Sequence, residues 1–392
     1  MTKDAKPGIG RRRLGGLAAA GAATFTLAAP PRIGRAQPPA IRIGNTQALT
    51  GPSAAYGIRA RDGAILALED VNNAGGLNLG GTTYRLDMSS EDMANDARQA
   101  LTLLRQWATD AAVLAVLGPS NSVGFVAMVP AAGQLRIPMV GTGSGAPIRE
   151  WNPYSYRVNP VSSIAVPQVL RKVVPAEKVR RMAVIYDQTQ DAQLGDAEVT
   201  RSMARELNYE VVAYEAFRAN DQDFSPQIAK IRSARPDAIY VAAATGDGVK
   251  VVSQIREAGI EKPLMTGFGS FEDPVYWDGT RGQVRGCYTW LAQDLRAPSP
   301  ALKSFLDRYN ARFPQEATSF STYGYDAIIA IAEGLKKAGR ADRQALQAAL
   351  GSLDITTPLG TRVTFRNPPD GNNQNPSVVV IKITGRGAYQ TV

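Results

Sequence analysis

Short apolar runs alternate with amphipathic stretches along most of this chain. Ile41-Arg42-Ile43-Gly44 predicts a strand that breaks at Thr50-Gly51-Pro52. Ala60, Ala64, Ala67, Leu68 and Val71 recur at helical spacing after it, and Gly75-Gly76 stops that helix. Tyr84 to Met88 is the next predicted strand, and Asn95 is the expected cap of a helix burying Ala97, Leu101, Leu104 and Ala108. Val113-Leu114-Ala115-Val116-Leu117 is apolar throughout, as a strand covered on both faces should be. A helix starting near Ser122 and a strand at Pro138-Met139-Val140 close this first series.

The alternation then restarts. Strands are predicted at Met182 to Tyr186, Val211 to Tyr214, Ala238 to Ala242 and from Leu264, with helices near 195–207, 224–233 and 247–258 between them. Two consecutive series of β-α units predict an α/β protein with two doubly wound parallel sheets. A helix-rich stretch from Pro300 to about Leu350 follows, with Ile328, Ile331, Ala332 and Leu335 as a core stripe. The chain ends in strands at Val363-Thr364-Phe365 and Val378 to Ile381.

The first 36 residues read as an export signal. Arg11-Arg12-Arg13 precedes a short, weakly apolar stretch reaching Ala29, and Gly34-Arg35-Ala36 offers small residues for cleavage near Ala36. Consecutive arginines suit the twin-arginine route, and the general secretory route stays open. A spanning anchor needs roughly 18 strongly apolar residues, and this stretch is rich in Ala and Gly instead. A periplasmic location is therefore expected.

Charge and composition change the picture mainly by exclusion. The formal net charge is +9, but residues 1–36 hold seven of the basic groups against one acid, Asp4. No Lys/Arg-rich run follows, which argues against a nucleic-acid partner. The 392 residues include no histidine and one cysteine, Cys287, so Ser-His-Asp triads, Cys-His dyads, His-ligated zinc and internal disulfides are excluded. No cofactor is expected.

Several stretches together resemble the type I periplasmic binding proteins of branched-chain amino acid ABC transporters, such as the leucine/isoleucine/valine-binding proteins. They are Thr50-Gly51-Pro52 with Tyr56-Gly57, Asn72 through Gly76, Gly118-Pro119-Ser120-Asn121-Ser122, Ile137-Pro138, Tyr325-Asp326-Ala327 and Pro358-Leu359-Gly360. The resemblance implies two lobes joined by three crossings near Asn159, Cys287 and Thr357. The lobes would be 41–159 with 289–356, and 160–288 with 357–392. It also implies a monomer that is not an enzyme, whose partners are a small-molecule ligand and an inner-membrane permease with its ATPase. The ligand would lie in the cleft at the carboxyl ends of both sheets.

Gly118 to Ser122 joins a buried strand to a helix start, where free N–H groups and short hydroxyls suit a carboxylate. Ser120 and Ser122 are candidate ligand contacts; either could instead cap the helix. The resemblance assigns the carboxylate to this turn, main-chain and hydroxyl contacts to Gly143 and Ser144, and an aromatic contact to Tyr56. In the second lobe, the family's tyrosine position falls near Ala244 or Thr245, and the acid that pairs with an ammonium falls at Phe268. An aromatic ring cannot replace that charge; Asp191, in the loop after the strand at Met182 to Tyr186, could supply one or be an exposed loop aspartate. A ligand with a carboxylate or amide and an apolar or aromatic body is therefore expected, with Tyr56 and Phe268 as stacking surfaces. Two other classes stay open on residues alone: a periplasmic sensor with this architecture, and an exported hydrolase using two carboxylates.

Overall fold

Val113–Leu117 and Ala238–Ala242, the two continuous apolar runs, each sit inside a sheet with every residue buried. The computed structural model describes residues 38–267 and 271–392. The expected export signal at 1–36 and Phe268 lie outside the described residues.

The first sheet has six strands: β1 (Ala40–Gln47), β2 (Leu77–Leu79), β3 (Thr82–Asp92), β4 (Val113–Leu117), β5 (Met139–Gly141) and β6 (Ser155–Arg157), in the order β2-β3-β1-β4-β5-β6. All neighbours run parallel except β2 and β3, which form a hairpin. Helices α1 (Ala54–Asn73), α2 (Ala97–Thr109) and α3 (Ser122–Leu135) connect them. The second series supplies α4 (Ser162–Ala176), β7 (Arg181–Asp187), α5 (Asp191–Ser202), α6 (Ala204–Leu207), β8 (Glu210–Phe217), α7 (Ser225–Ala234), β9 (Ala238–Ala242), α8 (Thr245–Glu257), β10 (Leu264–Met265), α9 (Pro274–Gly279) and β11 (Tyr288–Leu291). Helices α10 (Pro300–Arg312), α11 (Ser319–Ala338) and α12 (Arg343–Leu350) follow, then the hairpin β12 (Asp354–Thr356) and β13 (Arg362–Thr364), and last β14 (Val379–Gly385) and β15 (Ala388–Thr391). The second sheet has the order β15-β14-β11-β10-β9-β7-β8, antiparallel only at the β14 and β15 end.

Each sheet is covered on both faces. Helices α2 and α3 pack on one face of the first, and α1 with the returning α11 and α12 on the other. The second sheet is covered by α4 and α5 on one face and by α7 and α8 on the other. This explains why the central strands lack alternation: they have no solvent face.

Three details differ from the sequence reading. Residues 289–291 pair in the second sheet through β11, so the chain leaves that sheet after Leu291 and not near Cys287. The strand at Val363 pairs with β12 in a separate small sheet. Asp96, not Asn95, caps α2 by accepting from the Arg98 and Gln99 N–H groups; Asn95 has a left-handed backbone, and the buried face is Ala100, Leu103, Leu104 and Trp107. Trp107 fixes that rotation, since its ring packs where a side chain on Gly44 would be, and its indole N–H donates to Thr46.

Helix α11 buries one carboxyl. Asp326 is 1 % exposed, and burial pushes its pKa up to about 7 despite the Thr357 and Thr361 hydroxyls beside it. A folded-state pKa above the ordinary carboxylate value means the protonated form is the one folding favours. The stability it contributes is full below about pH 4, is lost as pH rises to about 7, and is constant above that. Asp326→Asn should remove the loss, on the order of 4 kcal/mol at most. Thermal unfolding at pH 5 and pH 8 checks this: the variant's gain in Tm should be largest at pH 8 and fall to roughly a third of that at pH 5.

Candidate functional site

Strand β4 ends at Leu117, and the turn Gly118–Asn121 delivers the chain into α3 at Ser122. Asn121 is the cap: its backbone is extended and its side-chain oxygen accepts from Gly124 N–H at 3.1 Å. Neither serine is therefore needed as a cap. Ser120 is committed elsewhere. Its N–H and hydroxyl both donate to Gln47 Oε1, at 2.9 and 2.7 Å, and its oxygen lies 2.8 Å from the Thr142 hydroxyl. Gln47 closes that triangle by donating to Thr142 at 3.1 Å. Ser120 thus ties the ends of β1, β4 and β5 together beneath the turn.

Ser122 pairs with the same facing turn two residues further on. Its hydroxyl lies 3.0 Å from that of Ser144, both buried, beside the first turn of α3. Two hydroxyls and the positive end of a helix suit an anionic oxygen. Gly143 stands between Ser120 and the Phe320 ring; a Cβ there would lie 2.6 Å from both the Ser120 carbonyl oxygen and that ring. Phe320, at the start of α11, stacks on Tyr56 with centroids 4.3 Å apart and planes 9° from parallel. The first wall thus combines a polar corner, Ser122 with Ser144, and an aromatic plate, Tyr56 with Phe320.

The second wall touches the first directly. Thr245 opens α8, and its N–H and hydroxyl donate to the Tyr56 oxygen at 2.8 and 3.1 Å. Burial holds the Tyr56 hydroxyl pKa well above its ordinary value. One turn along α1, Arg59 pairs with Asp273 at 3.0 Å, the two side chains being only 2 % and 6 % exposed. Asp273 also caps α9 by accepting from Val275 N–H. Burial pushes its carboxyl upward in pKa, and Arg59 pulls it back. Glu272 is buried beside these groups, and its charge helps raise the hydroxyls of Tyr56, Tyr276 and Tyr323.

Of the residues singled out from sequence, Tyr56, Ser122, Gly143, Ser144 and Thr245 gather at this junction, and Ser120 buttresses it. Asp191 is exposed at the first turn of α5 and lines a separate groove between α3 and α5, with Val126, Pro147, Ile148 and Leu194. Sequence reasoning missed Phe320, Glu272, the Arg59–Asp273 pair and the Gln47–Thr142 support. Asp273-Pro274 carried a helix-start signal; nothing local marked the others.

The model of a family described as periplasmic binding protein matches residues 40–387. A leucine-, isoleucine-, valine-, threonine- and alanine-binding protein of Pseudomonas aeruginosa is 26 % identical over 357 residues, 89 % of this chain and 90 % of that one. A Leu/Ile/Val-binding protein homolog of Brucella abortus is 25 % identical, over 77 % of this chain and 80 % of its own. Among solved structures, the Streptococcus pneumoniae branched-chain amino acid transporter substrate-binding protein LivJ, in complex with isoleucine, superposes with a TM-score of 0.77 at 24 % identity, over 90 % of this chain and 99 % of that one. A solute-binding protein of an ABC transporter from Rhodopseudomonas palustris, in complex with 4-hydroxybenzoate, gives 0.78 at 18 % identity, over 90 % and 96 %. These two likenesses concern the fold.

Proposed function

Because the chain belongs to the family of periplasmic binding proteins, we propose that it is the extracytoplasmic solute receptor of an ABC importer, exported by its first 36 residues and acting as a monomer. The lobes of this reading are 41–159 with the α10–α12 helices, and 160–291 with the final strands. The solute is a small carboxylate with an apolar or aromatic body. It is held between the lobes and released unchanged to a permease with its ATPase.

The observation that carries this reading is the Ser122–Ser144 hydroxyl pair at the start of α3, 3.0 Å apart, beside the stacked Tyr56 and Phe320 rings. The hydroxyls and the helix end would bind the carboxylate, and the rings would cover the apolar body. The cleft-closing contacts of Tyr56 with Thr245 and of Arg59 with Asp273 favour one closed arrangement, so a ligand touching both walls shifts the open–closed balance toward it. Closed lobes are then the signal a transporter reads.

Calorimetric titration with 4-hydroxybenzoate, 4-methylpentanoate and leucine tests the reading. The two acids that lack an amine should bind, because position 268 is Phe and offers no charge for an ammonium. Ser122→Ala should weaken acid binding roughly tenfold or more, the worth of a hydrogen bond to a charged group. Tight leucine binding with indifference to the acids, or a Ser122→Ala affinity equal to that of the unaltered chain, contradicts it.

A further inference from the structure

Arg157 closes β6 where the chain leaves the first sheet, and its guanidinium is buried, the residue being 1 % exposed. Nη1 donates to the carbonyl oxygens of Ser144 at 2.9 Å and Ala146 at 2.7 Å, and Nε donates to Asn372 Oδ1 at 2.6 Å. The rings of Phe125 and Trp151 lie 5.5 and 5.3 Å from its central carbon. No carboxylate accepts a hydrogen bond from it among the described residues; Asp370 acts only through its field. Burial draws its pKa down to about 9, which leaves it charged at neutral pH.

A cation placed this deep costs free energy that an apolar residue would avoid, so its partners show what it is for. Two are carbonyls of the turn that carries Ser144. The Asn159 side chain joins them, donating to the same Ser144 carbonyl at 2.9 Å. Nη1 also lies 3.4 Å from the Ser144 hydroxyl, and the Nε partner Asn372 lies between β13 and β14, on the last passage of the chain toward the second sheet, later than the crossing expected near Thr357. That passage also runs along Arg157 through main-chain bonds, Arg157 N–H to Gly371 O at 2.9 Å and Asn373 N–H to Arg157 O at 3.0 Å. The Gly141–Gly145 turn, the first crossing and the last crossing therefore meet at one side chain.

We propose that Arg157 is a positioning residue: it holds the Ser144 hydroxyl at its ligand-binding place and ties that turn to two of the crossings about which the lobes move. The inference rests on the carboxylate reading for its effect on affinity, but not for its effect on the turn. Arg157→Lys keeps the charge and loses the fork that reaches two carbonyls and Asn372 together. Asn372→Ala keeps the arginine and cuts its tie to the last crossing.

Hydrogen exchange on the ligand-free protein reads the turn directly. In both variants the amides of residues 141–146 should exchange roughly tenfold faster or more, the loss of about one hydrogen bond to a charged donor, while those of β4 and β9 keep their protection. In titrations with 4-hydroxybenzoate, Arg157→Lys combined with Ser122→Ala should lose little more than the worse single variant, because both act through Ser144. Unchanged exchange at 141–146 in Asn372→Ala overturns the inference even if Arg157→Lys does not fold, as does loss of protection spread evenly over β4 and β9. If the unaltered chain ignores 4-hydroxybenzoate, the carboxylate reading fails and the exchange result alone decides the role of Arg157. Additive losses in the double variant overturn the coupling.

Discussion

Arg59→Met is expected to weaken 4-hydroxybenzoate binding by about a hundredfold while leaving each lobe folded. Arg59 and Asp273 come from opposite sides of the cleft and are almost out of reach of water. The arginine also donates to the Glu316 carbonyl at 2.8 Å and to the Ala55 carbonyl at 3.1 Å, so each of its three nitrogens makes a hydrogen bond. Removing it strands a carboxylate that burial already disfavours. A buried charge without its partner costs roughly 3–5 kcal/mol. In one rigid domain that cost would fall on folding; here opening the cleft returns Asp273 to water. The penalty should therefore appear in the open–closed equilibrium, where each 1.4 kcal/mol is about tenfold. Titration together with small-angle scattering checks this: the variant should be more extended without ligand and should bind weakly. A compact variant with lowered Tm and normal affinity would assign the pair to stability instead.

Gly324→Ala should be the most destabilising change in the first lobe, with Gly63→Ala close behind. Helices α1 and α11 approach so nearly that a Cβ on Gly324 would lie 1.9 Å from the Ala60 carbonyl oxygen, and one on Gly63 1.9 Å from that of Ser321. The obstacle in each case is backbone, so no side-chain rotation can relieve it. The helices must part by more than an ångström along the largest helix–helix contact of the fold, which exposes core residues such as Ala64, Ala67 and Ile328. Overpacking of this kind costs about 3 kcal/mol, a fall of roughly 6–12 °C in Tm for a lobe of this size. Thermal unfolding measures it. The double variant should lose less than the two singles together, because one separation of the helices relieves both overlaps.

Much of the architecture was legible in the sequence because strands buried on both faces must be apolar throughout, as Val113–Leu117 and Ala238–Ala242 are. The Gly118–Ser122 turn was legible for a local reason: a strand end, a cap and a helix start fall within five residues. Short strands were not. β6 and β11, with three and four residues, carry no period, and β11 takes its place in the second sheet from its neighbours on either side. The site divides in the same way. Ser122, Gly143 and Ser144 follow strand ends, but Arg59 meets Asp273 across 214 residues and Arg157 meets Asn372 across 215. Those pairings depend on how two lobes and three crossings fold back on each other, and no window of sequence contains that. The support of Ser120 was hidden for a related reason: its partners are Gln47, at the end of β1, and Thr142, just after β5, both far from it in sequence.

The central claim is that the junction of Ser122 and Ser144 with the facing lobe takes up a small carboxylate and returns it intact. Native mass spectrometry of the exported protein, mixed with a pool of small organic acids, tests that most directly. One acid should add to each chain in a one-to-one complex, leave on gentle activation with its mass unchanged, and add far less to the Ser122→Ala variant. A bare chain at every acid concentration, or an acid released chemically altered, would contradict the account.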